Sequence, residues 1–259
     1  MASFKPVTAA LRAFEVLAVV NRLPEPSFAR IHKESGLSSA TVVRILETLV
    51  AAGLVAKDSE RALYAPTSKT LTLSSGYNPS QHLDVVSKPF LVELQRQIGW
   101  PSDVAVFDKD CMVVVQTSRD NGRLFFNRKP GFRAPILGTS LGMAYLAFSS
   151  DELRKKLLPL LAKETAPWSK LARDVGRLDK ILRDIRAKGY ATMHPDYGRQ
   201  AYDSTISAVG VPILVERRAV AALNVTFLVE AVDVESAGSK FASHLQKAAD
   251  QISAALSNQ

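Results

Sequence analysis

Residues Ser27 to Gly53, SFARIHKESGLSSATVVRILETLVAAG, constrain the fold more than any other stretch of the chain. Ser27 is placed to cap a first short helix whose apolar side is Phe28 and Ile31. Ser35-Gly36-Leu37 interrupts it, because glycine takes the left-handed backbone that ends a helix at little cost. Ser38 then caps a second helix in which Val42, Ile45, Leu46 and Leu49 recur at helical spacing, and Gly53 closes it. The other face carries Ser39, Thr41, Arg44 and Thr48. Small hydroxyls and one Arg near the start of a second helix, set on a three-residue turn, give the pattern of a helix-turn-helix recognition helix. An ordinary antiparallel helix pair in a core would share that local pattern, so the flanks decide.

The flanks favour the first reading. Val7 to Val20 is amphipathic, with Val7, Leu11, Phe14 and Leu17-Ala18 as the expected apolar stripe and Arg12 and Glu15 off it. Pro24 and Pro26 make Asn21 to Pro26 a loop. After Gly53 a short hairpin is expected, with Leu54-Val55-Ala56 and Ala62-Leu63-Tyr64 as strands around a charged turn from Lys57 to Arg61. Three helices and a hairpin make a winged helix-turn-helix over residues 1–76. There Ser38, Ser39, Thr41, Arg44 and Thr48 would face base edges or phosphate, and a wing residue, Lys57 or Arg61, would reach the backbone. A solvated turn is charged as well, so the wing has a plain reading beside the functional one. His32, four residues before Gly36, stands where such units keep a small residue, which predicts altered packing of the two helices.

The chain of 259 residues carries a net charge of +8. Residues 1–80 hold nine Lys/Arg and six Asp/Glu, so the excess is not concentrated at the expected DNA-binding end. Charge permits a polyanionic partner without establishing one. The single Cys111 excludes a disulfide framework, and four scattered histidines lack metal-ligand spacing, so no metal or cofactor is expected. No apolar run approaches the ~20 residues that span a bilayer, and MASFKPVTAALR is not a secretory signal, so a cytoplasmic protein without membrane contact is expected.

Thr67 to Ser80 reads as a linker, and Gln81 to Ile98 as helical by its Leu83, Val86, Phe90, Leu94 and Ile98 spacing. Pro89 is expected to break that helix, with Ser87 capping a new one. The expected division is 1–76, a linker helix over 77–98, and a second domain over 99–259. From Trp100 the texture turns to strands: SDVAVFD, CMVVVQTS and RLFFNR, broken by turns at Asp108-Lys109-Asp110 and Asp120-Asn121-Gly122. Helices are expected at Leu141–Phe148, Asp151–Ala162, Leu171–Lys188 and Ser239–Leu256, and strands at Ile206–Leu214 and Ala219–Val229. ATMHPDYGRQAYDS reads as irregular. The alternation suits an α+β domain with a central antiparallel sheet flanked by helices rather than a doubly wound parallel fold.

Arg12, the segment GLSSATVVRILETLVAAGLV, the Tyr64 strand and the block RAPILGTSLGMAYLAF together resemble the IclR family of bacterial transcriptional regulators over nearly the whole chain. The resemblance implies a winged helix-turn-helix, a linker helix and a GAF-like or profilin-like effector domain. It implies a double-stranded DNA operator as partner, contacts from Arg12 as well as the recognition helix, a homodimer or tetramer, and no enzymatic activity. Carried over by position, the effector pocket would include Phe126, Ser140, Leu141, Ile206, Ala208, Asn224 and Thr226. Asp196 is the nearest acid to the family's pocket aspartate, at a different local spacing. IGWPSDVAVFD, CMVVVQT and FFNRKPG are similar to the branch that activates aromatic-acid catabolism, which implies a small carboxylate, aromatic in kind, as effector and a catabolic operon as target.

Two features carry a second reading. Gly138-Thr139-Ser140-Leu141-Gly142 matches the G-x-S-x-G nucleophile elbow, with His194 or His244 as base and Asp174 or Asp196 as third member, which would make a serine hydrolase. The same small residues before a helix also suit a ligand held at free N–H groups. Asn224 and Thr226 share one face of a strand whose other face is Leu223 and Val225, and buried polar groups there need partners, from a ligand or from the core. Arg123, Arg128 and Arg133 are expected to be surface charges or, in one case, a carboxylate partner.

Overall fold

The computed structural model describes residues 5–73, 83–119 and 129–257. The chain divides into two compact units, Met1–Asn78 and Pro79–Gln259.

The first unit has helices α1 (Thr8–Arg22), α2 (Phe28–Ser35) and α3 (Ser39–Ala51), then the antiparallel hairpin β1 (Val55–Asp58) and β2 (Leu63–Pro66). Ser27 caps α2, accepting from the Arg30 N–H, and Ser38 caps α3, accepting from the Thr41 N–H. Gly36 ends α2 at φ 64°, where any side chain would strain the turn. The core is Val16, Leu17, Val19, Val20, Ile31, Val42, Leu46, Leu49 and Val55.

Two expectations about this unit fail. Val7, Leu11 and Phe14 are 69, 59 and 65% exposed, so the buried side of α1 begins only at Val16. Nearly every position from Val7 to Val20 is apolar or alanine, which leaves the helical phase undetermined by sequence. His32 does not disturb the helix pair either. It lies exposed and stacks on Phe28, with ring centroids 6.1 Å apart, while Ile31 and the small Ser35 take the buried positions.

The second unit is built on a six-stranded antiparallel sheet in the order β5-β4-β3-β8-β7-β6, with β3 (Ser102–Asp108), β4 (Cys111–Thr117), β5 (Arg133–Pro135), β6 (Ala191–Thr192), β7 (Ile206–Val215) and β8 (Arg218–Leu228). On one face lie α4 (Leu83–Ile98) and α9 (Val234–Ser257), packed on Val104, Val106, Val209, Val211, Leu223, Val225 and Phe227. On the other lie α5 (Ser140–Ala147), α6 (Asp151–Leu161), α7 (Val175–Lys188) and α8 (Pro195–Tyr202), packed on Ala105, Met112, Val114, Ala208 and Ala222. Alternation along each strand therefore sorts the residues between two cores.

Here too the chain departs from local rules. Helix α4 runs through Pro89 unbroken and is part of this unit, its Leu83, Leu91 and Leu94 buried. Proline there removes only the bond to the carbonyl of Val85, a residue 67% exposed. The stretch expected to be irregular forms β6 and α8: His194 caps α8 by accepting from the Asp196 N–H, and Pro195 sits in its first turn. Asp120-Asn121-Gly122, and with it Arg123 and Arg128, lies outside the described residues.

Candidate functional site

In the first unit α3 presents Ser39, Arg44 and Thr48 to solvent, with Thr41 half-buried. The Ser38 and Thr41 hydroxyls are 2.8 Å apart, and the Thr48 hydroxyl donates to the Arg44 carbonyl at 2.7 Å, so its oxygen remains an acceptor. Lys57 lies in strand β1 rather than in the turn, its ammonium 5.9 Å from the centre of the Tyr64 ring. Arg61 is at the tip, where Asp58 accepts from the Glu60 and Arg61 N–H groups. Arg12 is exposed on α1. The exposed positions of α3 thus carry one guanidinium and the Ser39 and Thr48 hydroxyls, set among Ala40, Val43, Val50 and Ala51 and the Glu47 carboxylate.

In the second unit a transverse row of positions crosses four strands. Gly210 on β7 pairs with Asn224 on β8, Asn224 with Asp103 on β3, and Asp103 with Thr117 on β4. Paired residues on an antiparallel sheet point to the same face, here the α5 side, because Leu223, Val225 and Val104 face the other core. Asn224 Oδ1 accepts from the Asp103 N–H at 3.1 Å, and the Thr117 hydroxyl donates to Asp103 Oδ1 at 2.8 Å. Arg119, just past β4, reaches back with one terminal nitrogen on Asp103 Oδ1 and the other on Thr226 Oγ1, each at 2.5 Å. The side chains of Arg119 and Asp103 are 9 and 0% exposed, an ion pair inside the domain.

The start of α5 closes over this row. Thr139 caps the helix, accepting from the Gly142 N–H at 3.1 Å, and Ser140 is its first residue. A Cβ on Gly210 would stand 2.8 Å from the Ser140 carbonyl carbon and oxygen, so only glycine lets the helix terminus sit on the sheet. The Ser140 hydroxyl, the Asn224 side-chain nitrogen and Arg119 Nε are buried without a hydrogen-bond partner. So is the indole N–H of Trp168, whose ring packs edge-on to Tyr197 beside Gly138.

The structure brings Ser140, Leu141, Ile206, Ala208, Asn224 and Thr226 to this one buried region, Ala208 pairing with Thr226 next to the Gly210–Asn224 pair. Phe126 lies outside the described residues. Asp196 sits in the first turn of α8, partly exposed, 3.2 Å from Arg199. Arg133 bridges Asp108 and Asp110 at 2.8 Å each and holds the β3–β4 turn. Asp103 and Arg119 were invisible as a pair in the sequence. A lone acid opening a strand and an Arg in a turn become a site only once register is known.

The nucleophile-elbow reading fails. The Ser140 hydroxyl is fully buried and bonds no histidine. His194 spends Nδ1 on capping α8, His244 is exposed on α9, and Asp174 caps α7. Both glycines have packing reasons: a Cβ on Gly138 would be 3.1 Å from the Tyr197 ring, and one on Gly142 would be 2.2 Å from the Ile136 carbonyl oxygen. Burial also pushes the Cys111 thiol up to about 11, far from a reactive thiolate. Among the described residues no group of His, Cys, Asp or Glu could hold a metal ion, and no helix is long and apolar enough to cross a membrane.

Both units of the fold recur in known proteins. Residues 9–59 match the IclR helix-turn-helix domain, and residues 76–254 match the bacterial transcriptional regulator IclR C-terminal family. The chain is 32% identical over 203 residues to the HTH-type transcriptional regulator Rv1719 of Mycobacterium tuberculosis, covering 77% of this chain and 74% of that protein. It is 25% identical to the HTH-type transcriptional regulator XynR of Escherichia coli, across 95% of both. Among solved structures, an IclR homolog from Microbacterium hydrocarbonoxydans complexed with 4-hydroxybenzoate superposes with a TM-score of 0.69 at 20% identity, covering 97% of this chain and 100% of that one.

Proposed function

The chain belongs to the IclR family of bacterial transcriptional regulators, a DNA-binding regulator with a C-terminal effector domain and not an enzyme, and on that premise we propose that it controls a catabolic operon in response to a small aromatic carboxylate. The observation that carries the effector reading is the cluster of unpartnered donors, Ser140, Asn224 and Arg119, under the start of α5. Three donors and a helix N-terminus facing one buried region suit an acceptor-bearing acid. The 4-hydroxybenzoate complex of the Microbacterium homolog supports an aromatic acid at this fold.

The operator is read by α3, with Ser38, Ser39, Thr41, Arg44 and Thr48 toward the major groove and Arg12, Lys57 and Arg61 toward phosphate. The protein acts as a homodimer or a pair of dimers. One recognition helix reads too few base pairs for genomic specificity, and two half-sites about 34–36 Å apart supply the rest. The exposed Val7, Leu11 and Phe14 stripe supports a second copy as the occupant of that helix face. Effector binding shifts the second unit between two states, and α4, anchored in that unit's core, relays the shift to the DNA-binding heads.

Gel shifts with the wild type and Arg44→Ala on DNA from upstream of the protein's own gene test the operator assignment. Loss of one bidentate base contact lowers specific affinity by about 1–3 kcal/mol, roughly 5- to 150-fold, and leaves salt-sensitive non-specific binding in place. Unchanged specific binding by Arg44→Ala would remove α3 from the interface.

A further inference from the structure

We propose that Arg119 is the residue that selects an acid as the ligand of the second unit, and that Asp103 is its positioning partner. The inference rests on the effector reading of the buried row and names the group that recognises the ligand's charged end.

A guanidinium offers five N–H donors in a rigid fork. In Arg119 one terminal nitrogen donates to Asp103 and the other to Thr226. Both acceptors belong to the sheet, on β3 and β8, so the fork is held at two points and cannot swing. Nε donates to nothing, although it is buried. The edge formed by Nε–H and its neighbouring terminal N–H is one that accepts a carboxylate side-on with two parallel hydrogen bonds. Asp103 therefore fixes and orients the guanidinium without occupying that edge. Thr117 donates to the same Asp103 oxygen and holds the carboxylate in turn.

The neighbours of this edge are donors as well. Thr226, which touches the fork, is two residues from Asn224 on the same strand face, and the Asn224 side-chain nitrogen is unpartnered. Across from Asn224, Gly210 carries the Ser140 carbonyl and the start of α5, whose first N–H groups lack intrahelical acceptors. The Ser140 hydroxyl is unpartnered there. A buried donor left unmade is costly, and several in one place are explained by one acceptor-rich guest. A carboxylate supplies two oxygens for Nε–H and the amide. The corresponding primary amide supplies only one and brings N–H donors against donors. An anion gains charge-assisted bonds where a neutral group gains ordinary ones.

The test uses the full chain and pairs of probes: 4-hydroxybenzoate against 4-hydroxybenzamide, and 3-phenylpropionate against 3-phenylpropionamide, measured by calorimetry. The wild type binds at least one acid about tenfold or more tighter than its amide, the size of one charge-assisted hydrogen bond. Arg119→Gln brings that acid-to-amide ratio close to one while amide affinity changes little. Since Arg119→Gln leaves Asp103 buried with a lost cation, the double variant Asp103→Asn/Arg119→Gln removes both charges, with Asn matching the shape of Asp103 and the shorter Gln keeping a polar end. It shows the same collapse of the ratio with a native-like melting temperature. Arg119→Lys, a point charge without the fork, keeps part of the preference. An acid that binds with its preference intact in both Gln variants overturns the assignment to Arg119 and leaves the effector reading standing. A wild type that binds none of the four probes overturns the effector reading for aromatic acids, and the inference with it.

Discussion

Replacing Gly210 with alanine adds one methyl group between β7 and the first turn of α5. The new Cβ would lie 2.8 Å from the Ser140 carbonyl carbon and oxygen and 3.2 Å from the Leu141 nitrogen. All three are backbone atoms, and Ser140 and Leu141 are fully buried, so no flexible side chain can yield. Overpacking of this kind costs about 1–3 kcal/mol. In a unit spanning residues 79–259 each kcal/mol is worth roughly 2–4 °C of melting temperature, so the melt should fall by about 2–12 °C. Gly176→Ala is the control, since a Cβ there meets nothing within 4 Å and alanine is the better helix former, by about 0.5–1 kcal/mol. Thermal melts of the three proteins, with 4-hydroxybenzoate titrated into each, measure both consequences. Gly210→Ala should melt lower and bind the acid more weakly, because lifting α5 moves Ser140 off the row. A Gly210→Ala protein that melts at or above the wild type would refute the seating of α5 on the sheet, and with it the geometry of the site.

Denaturation of Asp103→Ala should show a loss of about 3–5 kcal/mol, the cost of stranding the buried Arg119, whereas Asp103→Asn/Arg119→Gln should lose less than half of that; equal losses would mean that the two charges do not depend on one another. His194 is held below its ordinary pKa by burial first, with Arg177 adding to the shift and Asp196 opposing it. The unfolded chain therefore takes up this proton first, so its stabilising contribution is whole above about pH 6.5 and is lost as the pH falls through the lower folded value. His194→Asn keeps a capping side chain without the titration, and its stability should change less than the wild type's between pH 7.5 and 5.5; identical slopes would remove His194 from the pH response. Phe14→Lys, on the 65%-exposed position of α1, should weaken self-association in sedimentation without lowering the first unit's helix content; an unchanged mass would place the dimer contact elsewhere.

What the sequence made legible followed from local rules. The Ser27 and Ser38 caps, the Gly36 break and the apolar periodicity of α3 are all local, and they place the helix-turn-helix. The alternation at Leu223 to Thr226 likewise assigns the faces of β8 before any partner strand is known. Other features depended on tertiary context. The phase of α1 was ambiguous because apolar residues, Leu11 and Phe14 among them, occur on its exposed as well as its buried side. Pro89 inside α4 is tolerated because the packing of Leu83, Leu91 and Leu94 outweighs one lost hydrogen bond. The helix at Pro195 was hidden by histidine serving as its cap. In the site, Ser140, Asn224 and Thr226 were readable as small or polar residues in apolar surroundings. Asp103 and Arg119 were not, since they are 16 residues apart and meet only through the β3–β4 register.

A nuclease footprint of the protein on DNA upstream of its own gene, run with and without 4-hydroxybenzoate and 3-phenylpropionate, reads operator binding and effector response together. Two half-sites about one helical turn, or a multiple of it, apart should be protected. An acid that binds the wild type should change that protection and leave the Arg119→Gln footprint unchanged. Protection that is absent at low salt, or present but indifferent to every acid shown to bind, would rule out an acid-responsive operator-binding protein.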